Sequence, residues 1–238
     1  MVAAGNVSFL YKNGPFAWDS NIDTDFGESF VDNNLHKWQK TNDKLNIATK
    51  FGWEFKENWY LTALAGFQSQ YAIGRDYVTG YNNPISKWLA PSYTDISVGI
   101  DWKKSYKGAD FSFYLSPIAG RISTAYVSEA WNKKYNEEYA KETGDNTYDF
   151  RTALQEKYGT WTYSKTANAD GTYDKIYKDF KAELGLTFKG SINYTYKDLK
   201  IITSLGLFTP YAWDKTEMFD AENKFIGYRD NNRRFGNF

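Results

Sequence analysis

An all-β chain, folded as an antiparallel up-and-down β-barrel, is the fold class this sequence predicts, on three observations. Apolar and polar residues alternate at period two through eight stretches of the 238 residues, which is the mark of a strand with two unlike faces. The links between these stretches are tight and long by turns. Aromatic residues, 19% of the chain, gather beside the tight links.

The elements follow in order. Residues 3–11 set Val7, Phe9 and Tyr11 against Asn6 and Ser8, and Lys12-Asn13-Gly14-Pro15 makes a tight turn. Residues 16–26 put Phe16, Trp18, Ile22 and Phe26 on one face and Asp19, Asn21, Asp23 and Asp25 on the other; a long link, about 31–43, comes next. Residues 45–56 oppose Leu45, Ile47, Phe51, Trp53 and Phe55 to Asn46, Lys50, Gly52 and Glu54, with a tight link at 56–58. Residues 59–71 oppose Leu61, Ala63, Ala65 and Phe67 to Thr62, Gly66 and Gln68, before a long link at 74–91. Residues 93–103 oppose Ile96, Val98, Ile100 and Trp102 to Asp95, Ser97, Gly99 and Asp101, and 104–109 is short. Residues 111–118 pair Phe111, Phe113 and Leu115 against Ser112, Tyr114 and Ser116; the link 127–174 is the longest and has room for a short helix. Residues 181–196 oppose Leu184, Leu186, Phe188, Ile192, Tyr194 and Tyr196 to Lys181, Glu183, Gly185 and Thr187. A tight turn at 197–198 leads to 200–209, and 212–234 is long again.

Composition narrows the functions. Lys and Arg number 29, as do Asp and Glu, so there is no cation surplus for nucleic acid. Cysteine is absent and His36 is the one histidine, which removes disulfides, thiolate metal sites and histidine-rich centres. No run of ~18 apolar residues is present for a membrane-spanning helix, and a mean hydropathy of −0.66 suits either a soluble protein or a membrane barrel. The chain opens without a basic and apolar leader and closes on Arg234 to Phe238 without a stop. The expectation is one barrel domain over 1–238, cut from a longer protein at both ends, with 127–174 as a long extracellular loop.

Alternation does not say which face is inside. In a soluble barrel the apolar face packs inward; in a membrane barrel it faces lipid and the lumen is polar. Sorted loops, aromatics beside the turns, and glycines (Gly52, Gly66, Gly99, Gly185, Gly206) on the polar face favour an outer-membrane barrel. About eight strands belong to this chain and about ten to twelve to the parent. The membrane-interface aromatics are then Phe16, Trp18, Trp53, Phe55, Trp59, Trp102, Phe111, Tyr194 and Tyr196. The lumen charges are Asp19, Asp23, Asp25, Lys50, Glu54, Asp95, Asp101, Arg121, Lys181 and Glu183.

Particular stretches bring a family into view: YKNGPFAWDS at 11–20, KLNIATKFG at 44–52, NWYLTAL at 58–64 with FQSQ at 67–70, ISKWLAPSY at 85–93, FSFYLSP at 111–117 and KAELG at 181–185. In these, spread in order over most of the chain, the sequence resembles a Bacteroidota outer-membrane family filed as domain of unknown function 3078. The resemblance implies an outer-membrane β-barrel with no assigned activity and hands over no catalytic residues. It also implies a signal and an earlier strand before residue 1, and about one more hairpin after Phe238. The 127–174 link is longer than the resemblance implies.

Candidate chemistry is sparse. The lumen charges read either as a salt-bridge network filling a small barrel or as an ion path, and the first is the base expectation for a polar lumen. His36 sits in a loop without a G-x-S-x-G elbow, so no catalytic residue is assigned. Asp145-Asn146 and Asp170-Gly171 lack the twelve-residue calcium pattern and read as turns, so no metal and no cofactor is assigned. The loop aromatics Trp38, Tyr77, Tyr81, Trp88, Trp131, Tyr135, Tyr139, Tyr148, Trp161, Tyr163 and Trp213 suit packing over the barrel mouth, sugar stacking or a protein partner equally. The expected partners are outer-membrane lipid and lipopolysaccharide, and other outer-membrane proteins through these loops, with no nucleic acid. The function expected is a non-enzymatic structural or accessory subunit; the alternatives are a narrow pore or uptake barrel for small solutes, an outer-membrane enzyme as a distant option, and a soluble β-barrel binding apolar ligands.

Overall fold

The computed structural model of the chain describes residues 1–32, 37–77, 83–164, 166, 168–169, 174–197, 199–211, 215–219 and 225–230. The strands are β1 (Val2–Asn13), β2 (Phe16–Phe30), β3 (Trp38–Lys56), β4 (Trp59–Ser69), β5 (Gly74–Asp76), β6 (Asn83–Ser86), β7 (Ser92–Tyr106) and β8 (Ala109–Thr124). Helices α1 (Glu129–Thr143) and α2 (Phe150–Lys157) follow, then β9 (Trp161–Tyr163), β10 (Lys175–Tyr177), β11 (Phe180–Tyr196), β12 (Leu199–Pro210), β13 (Lys215–Phe219) and β14 (Phe225–Asp230).

All eight alternating stretches become strands of one antiparallel sheet, in the order β1-β2-β3-β4-β7-β8-β11-β12. Each of these long strands pairs with the next, as an up-and-down sheet requires. The sheet is strongly curled but does not close. Among the described residues no strand joins β1 to β12, so the closed barrel expected from the sequence is a half-barrel. At this curvature eight strands do not complete the circle. The curl shows in the side chains: Lys50 Nζ, on β3, lies 5.7 Å from the ring of Tyr114 on β8. Three strand spacings separate those strands, roughly 14 Å in a flat sheet.

Several strands are longer than their alternation suggests, because bulges reset the parity. Beyond the shift at Gly27/Glu28, β2 and β3 stay paired to Phe30 and Trp38. In β8 the extra residue falls at Ser116-Pro117-Ile118, against both β7 and β11. Proline has no N–H to give a ladder, and a bulge is where a sheet accommodates it. At the bulge the β7 and β8 backbones come close together, and a second close approach lies between β11 and β12. A Cβ on Gly99 would sit 2.2 Å from the Leu115 carbonyl oxygen, and one on Gly185 2.2 Å from that of Thr209, whereas Gly206 has nothing within 4 Å. Gly99 and Gly185 therefore serve close backbone approach. Gly99→Ala should destabilise by about 1–3 kcal/mol, and Gly206→Ala should stay within about 0.5 kcal/mol, measured by equilibrium denaturation. Equal effects would show that the bulge relaxes freely.

The four tight connections, 13–16, 56–59, 106–109 and 196–199, lie at one end of the sheet. Left-handed residues make them: Gly14, Asn58, Lys107, Gly108 and Lys197 all have positive φ. The long connections lie at the other end. There Ala90, Ala125, Val127, Tyr135, Phe150 and Leu154 form a small apolar core, with Ile73, Tyr148 and Tyr158 against it. The 127–174 link thus holds two helices and β9. α2 is started by Asp149, whose carboxylate accepts from Thr152 N, and α1 ends on the left-handed Gly144.

Candidate functional site

The two faces of the sheet have opposite chemistry. On the convex face the large apolar side chains are exposed along whole strands: Ile22, Ile47, Phe51, Leu61, Ile96, Val98, Ile100, Leu115, Ile118 and Ile122. On the concave face the buried groups are chiefly polar: Thr62, Ser97, Asp101, Ser116 and Thr187, around Tyr114 and Ala119. The Tyr114 hydroxyl donates to Ser97 Oγ at 2.8 Å.

The expected charges other than Arg121 fall on the alternation's polar face, Arg121 joins them through the β8 bulge, and the curl sets the partner of Lys50. Asp101 is 0% exposed and lies between Lys50 Nζ at 2.5 Å and Lys103 Nζ at 3.7 Å. Ser112 donates to its other oxygen at 3.1 Å. Arg121 holds Asp95 with two bonds, from Nε at 2.7 Å and Nη2 at 3.1 Å, while its guanidinium lies 4.7 Å over the Phe208 ring. Asp23 pairs with Lys44 across the β2–β3 hairpin, and Asp25 accepts from Asn42 at 3.0 Å. Lys181 and Glu183 pair along their own strand at 3.0 Å. Asp19 stands opposite Lys50 in register, yet the Lys50 ammonium is drawn to Asp101. Glu54 takes a bond from the Asn58 N–H at 3.1 Å, fixing the turn. Troughs along this face include one of about 370 Å³ beside Asp19, Tyr60 and Lys103, one of about 340 Å³ beside Lys50, Tyr114 and Lys189 and one of about 290 Å³ beside Asp95, Arg121 and Lys189.

The aromatics assigned to an interface stand near the tight turns. Phe16, Trp18, Trp53, Phe55, Trp59 and Tyr196 are exposed, and Trp102, Phe111 and Tyr194 half-buried. They pack sideways on the convex face: Phe9 edge-on to Trp18 at 5.4 Å, Phe16 on Phe51 at 5.9 Å, Trp102 on Phe113 at 5.8 Å.

A polar node at the loop end escapes sequence reasoning. Lys40 Nζ reaches Asp43 at 2.8 Å, Gln70 Oε1 at 2.9 Å and the Ala72 carbonyl at 3.0 Å. Asp43 also accepts from the Tyr71 and Ala72 N–H groups. Gln70 donates to the Lys87 and Ala90 carbonyls. This node ties β3 to the 70–90 loop, and no local pattern announces it because its members come from three segments. In the loops the Tyr158 hydroxyl donates to the Ile85 carbonyl at 2.8 Å, and burial pushes its pKa from 10.0 up to about 12. Burial does the same to Tyr148. The folded loops favour the neutral phenols, so this contribution is whole below pH 10 and lost as pH rises toward 12. Near-ultraviolet circular dichroism of the loop aromatics should hold steady up to that window and decay within it; loosening at neutral pH would contradict the burial.

Of the other candidates, Asp145 accepts from the N–H and hydroxyl of Thr147 at 2.8 and 2.7 Å, an Asx turn. Those two bonds lower its carboxyl below the usual range. No three metal-ligating side chains converge among the described residues. His36, Tyr81, Ala167, Asp170, Gly171, Asp198 and Trp213 lie outside the described residues, as does the Tyr163 side chain.

Residues 1–74 match the model of a family described only as a protein of unknown function (DUF3078). The match spans β1 to β4 and the first residue of β5, and so covers the first half of the sheet with its Asp23–Lys44 pair and the Lys40–Asp43 node. No curated protein and no solved structure matches the chain.

Proposed function

We propose that this chain forms the wall of a non-enzymatic outer-membrane β-barrel, a structural or accessory subunit of an outer-membrane assembly. The inverted polarity of the sheet carries the reading. Exposed Ile, Val, Leu and Phe cover the convex face while ion pairs fill the concave one. In water such a face would be an apolar patch far larger than the few hundred Å² a soluble monomer shows; against lipid it is the expected outside of a barrel. Short turns at one end and long loops at the other agree with a periplasmic and an outer side. Because Lys50 reaches over β4 to Asp101 and the Arg121–Asp95 pair lines the same face, a filled wall is favoured over an open pore.

The chain has no cysteine, so single-cysteine variants test this cleanly. In lipid vesicles, cysteines replacing Val98, Ile100 or Leu115 should resist a water-soluble maleimide that labels one at Lys133 in the loops. In whole cells Lys133→Cys should label and Asn13→Cys should not. Equal labelling at Val98 and Lys133 would sink the membrane reading.

A further inference from the structure

At the loop end the convex rim carries aromatic side chains of its own. Trp88 packs edge-on against Phe67 of β4 at 6.0 Å, which places it on the convex side just beyond the strands. The Tyr126 N–H bonds the Leu89 carbonyl at 3.0 Å, bringing the exit of β8 to the same place. Trp131, in the first turn of α1, stacks on Tyr135 at 5.5 Å. Trp88, Tyr126 and Trp131 are 41%, 44% and 42% exposed, with Trp88 and Trp131 packed against Phe67 and Tyr135.

Two ammonium groups from segments distant in sequence converge on one of these rings. Lys134 Nζ lies 4.8 Å and Lys87 Nζ 5.6 Å from the Trp131 centroid. Among the described residues neither has a carboxylate within 4.0 Å. The acids of α1 are otherwise placed: Glu138 is held by Arg75 at 3.1 Å, and Glu129 and Glu137 form no ion pair with either lysine. Burial pulls the Lys87 ammonium below the ordinary lysine range, as expected for a cation half out of water with no counter-charge. The lysines at the turn end differ. Lys107 and Lys197 each lie over the tyrosine next to them in sequence, Tyr106 and Tyr196, so no two converge.

We propose that Lys87, Lys134 and Trp131, with Trp88 and Tyr126 below them, form a docking site for the phosphorylated sugar headgroup of a glycolipid in the outer leaflet. The inference rests on the membrane reading above and names the partner of its outer rim. The charge fits: a phosphate monoester carries about −1.5 to −2, matching two ammonium groups. The shape fits too, since exposed indole and phenol rings offer a sugar a flat apolar face and a polar tip. Trp88, on the convex side, falls where the first acyl carbons would lie. A carboxylated protein partner would meet the same lysines but would have no use for rings on the lipid-facing side.

The experiment compares three nanodisc preparations of the full chain: phosphatidylcholine alone, phosphatidylcholine with a bisphosphorylated glucosamine-disaccharide lipid, and the same with the dephosphorylated lipid. Native mass spectrometry counts the glycolipid retained. The wild type should hold the phosphorylated lipid about tenfold more than the dephosphorylated one, the order of two solvent-exposed ion pairs. Lys87→Gln/Lys134→Gln should abolish that preference, and Trp131→Leu should weaken it, in protein that still migrates as folded on a semi-native gel. Equal retention of both lipids, or a preference that survives the double variant, overturns the site while leaving the membrane reading intact. Full competition by soluble glucosamine 1-phosphate overturns the lipid as source. Failure to enter any nanodisc overturns the membrane reading and this site together.

Discussion

Lys50→Met should cost about 3–5 kcal/mol, the penalty for leaving a buried charge without its partner. Asp101 is 0% exposed and Lys50 is its nearest cation at 2.5 Å. Lys103 at 3.7 Å and Ser112 remain, which sets the expectation toward the lower end. The loss should appear as lower heat resistance on a semi-native gel. Lys50→Met/Asp101→Asn should recover most of it, because the second change removes the orphaned charge. Conductance across a planar bilayer should stay near zero in the wild type. A large wild-type conductance, abolished or ion-inverted by Lys50→Met, would replace the filled wall with a pore.

Val98→Arg should cost about 2–4 kcal/mol in lipid, the range for arginine at the mid-plane of a barrel's outer face. Val98 is 46% exposed in the middle of β7. At a water-facing position the same change would stay within about 0.5 kcal/mol, so solvent alone decides the outcome. Folding into lipid vesicles, followed by denaturant titration, reads it. A neutral result would mean that the convex face meets water or protein.

The eight strands were legible because each alternates without interruption over its central residues. Asp23 with Lys44 was legible by hairpin arithmetic, since both flank one loop. Counting outward from the 31–43 link sets Lys44 or Lys50 beside Asp23 and Asp25, and Lys50 departs from it: the register places it opposite Asp19, and curvature then brings its ammonium to Asp101, two strands along, and to the Tyr114 ring, three along. Arg121 shows how parity can mislead. Counted from Phe111 it shares the apolar face, and only the extra residue at Pro117 turns it toward Asp95. The loop helices were barely legible because α1 buries a single residue, Tyr135, too little to set a period. Closure was expected from the strand count and is not reached, since the radius of a sheet depends on tilt and shear that no single strand encodes.

The loop core has a consequence for how the molecule comes apart. Ala90, Ala125, Val127, Tyr135, Phe150 and Leu154 bury carbon against carbon within the chain; the sheet, among the described residues, has almost no such interior, and in the proposed barrel its apolar surroundings are lipid. In that barrel one chain would answer to two solvents. A reagent that weakens burial from water should melt the cap as a small cooperative unit, and one that strips the surroundings of the strands should spare it. Backbone amide exchange would then sort the residues into two populations with separate midpoints. The cap could also change its sequence, and whatever it meets, without disturbing the wall that carries it.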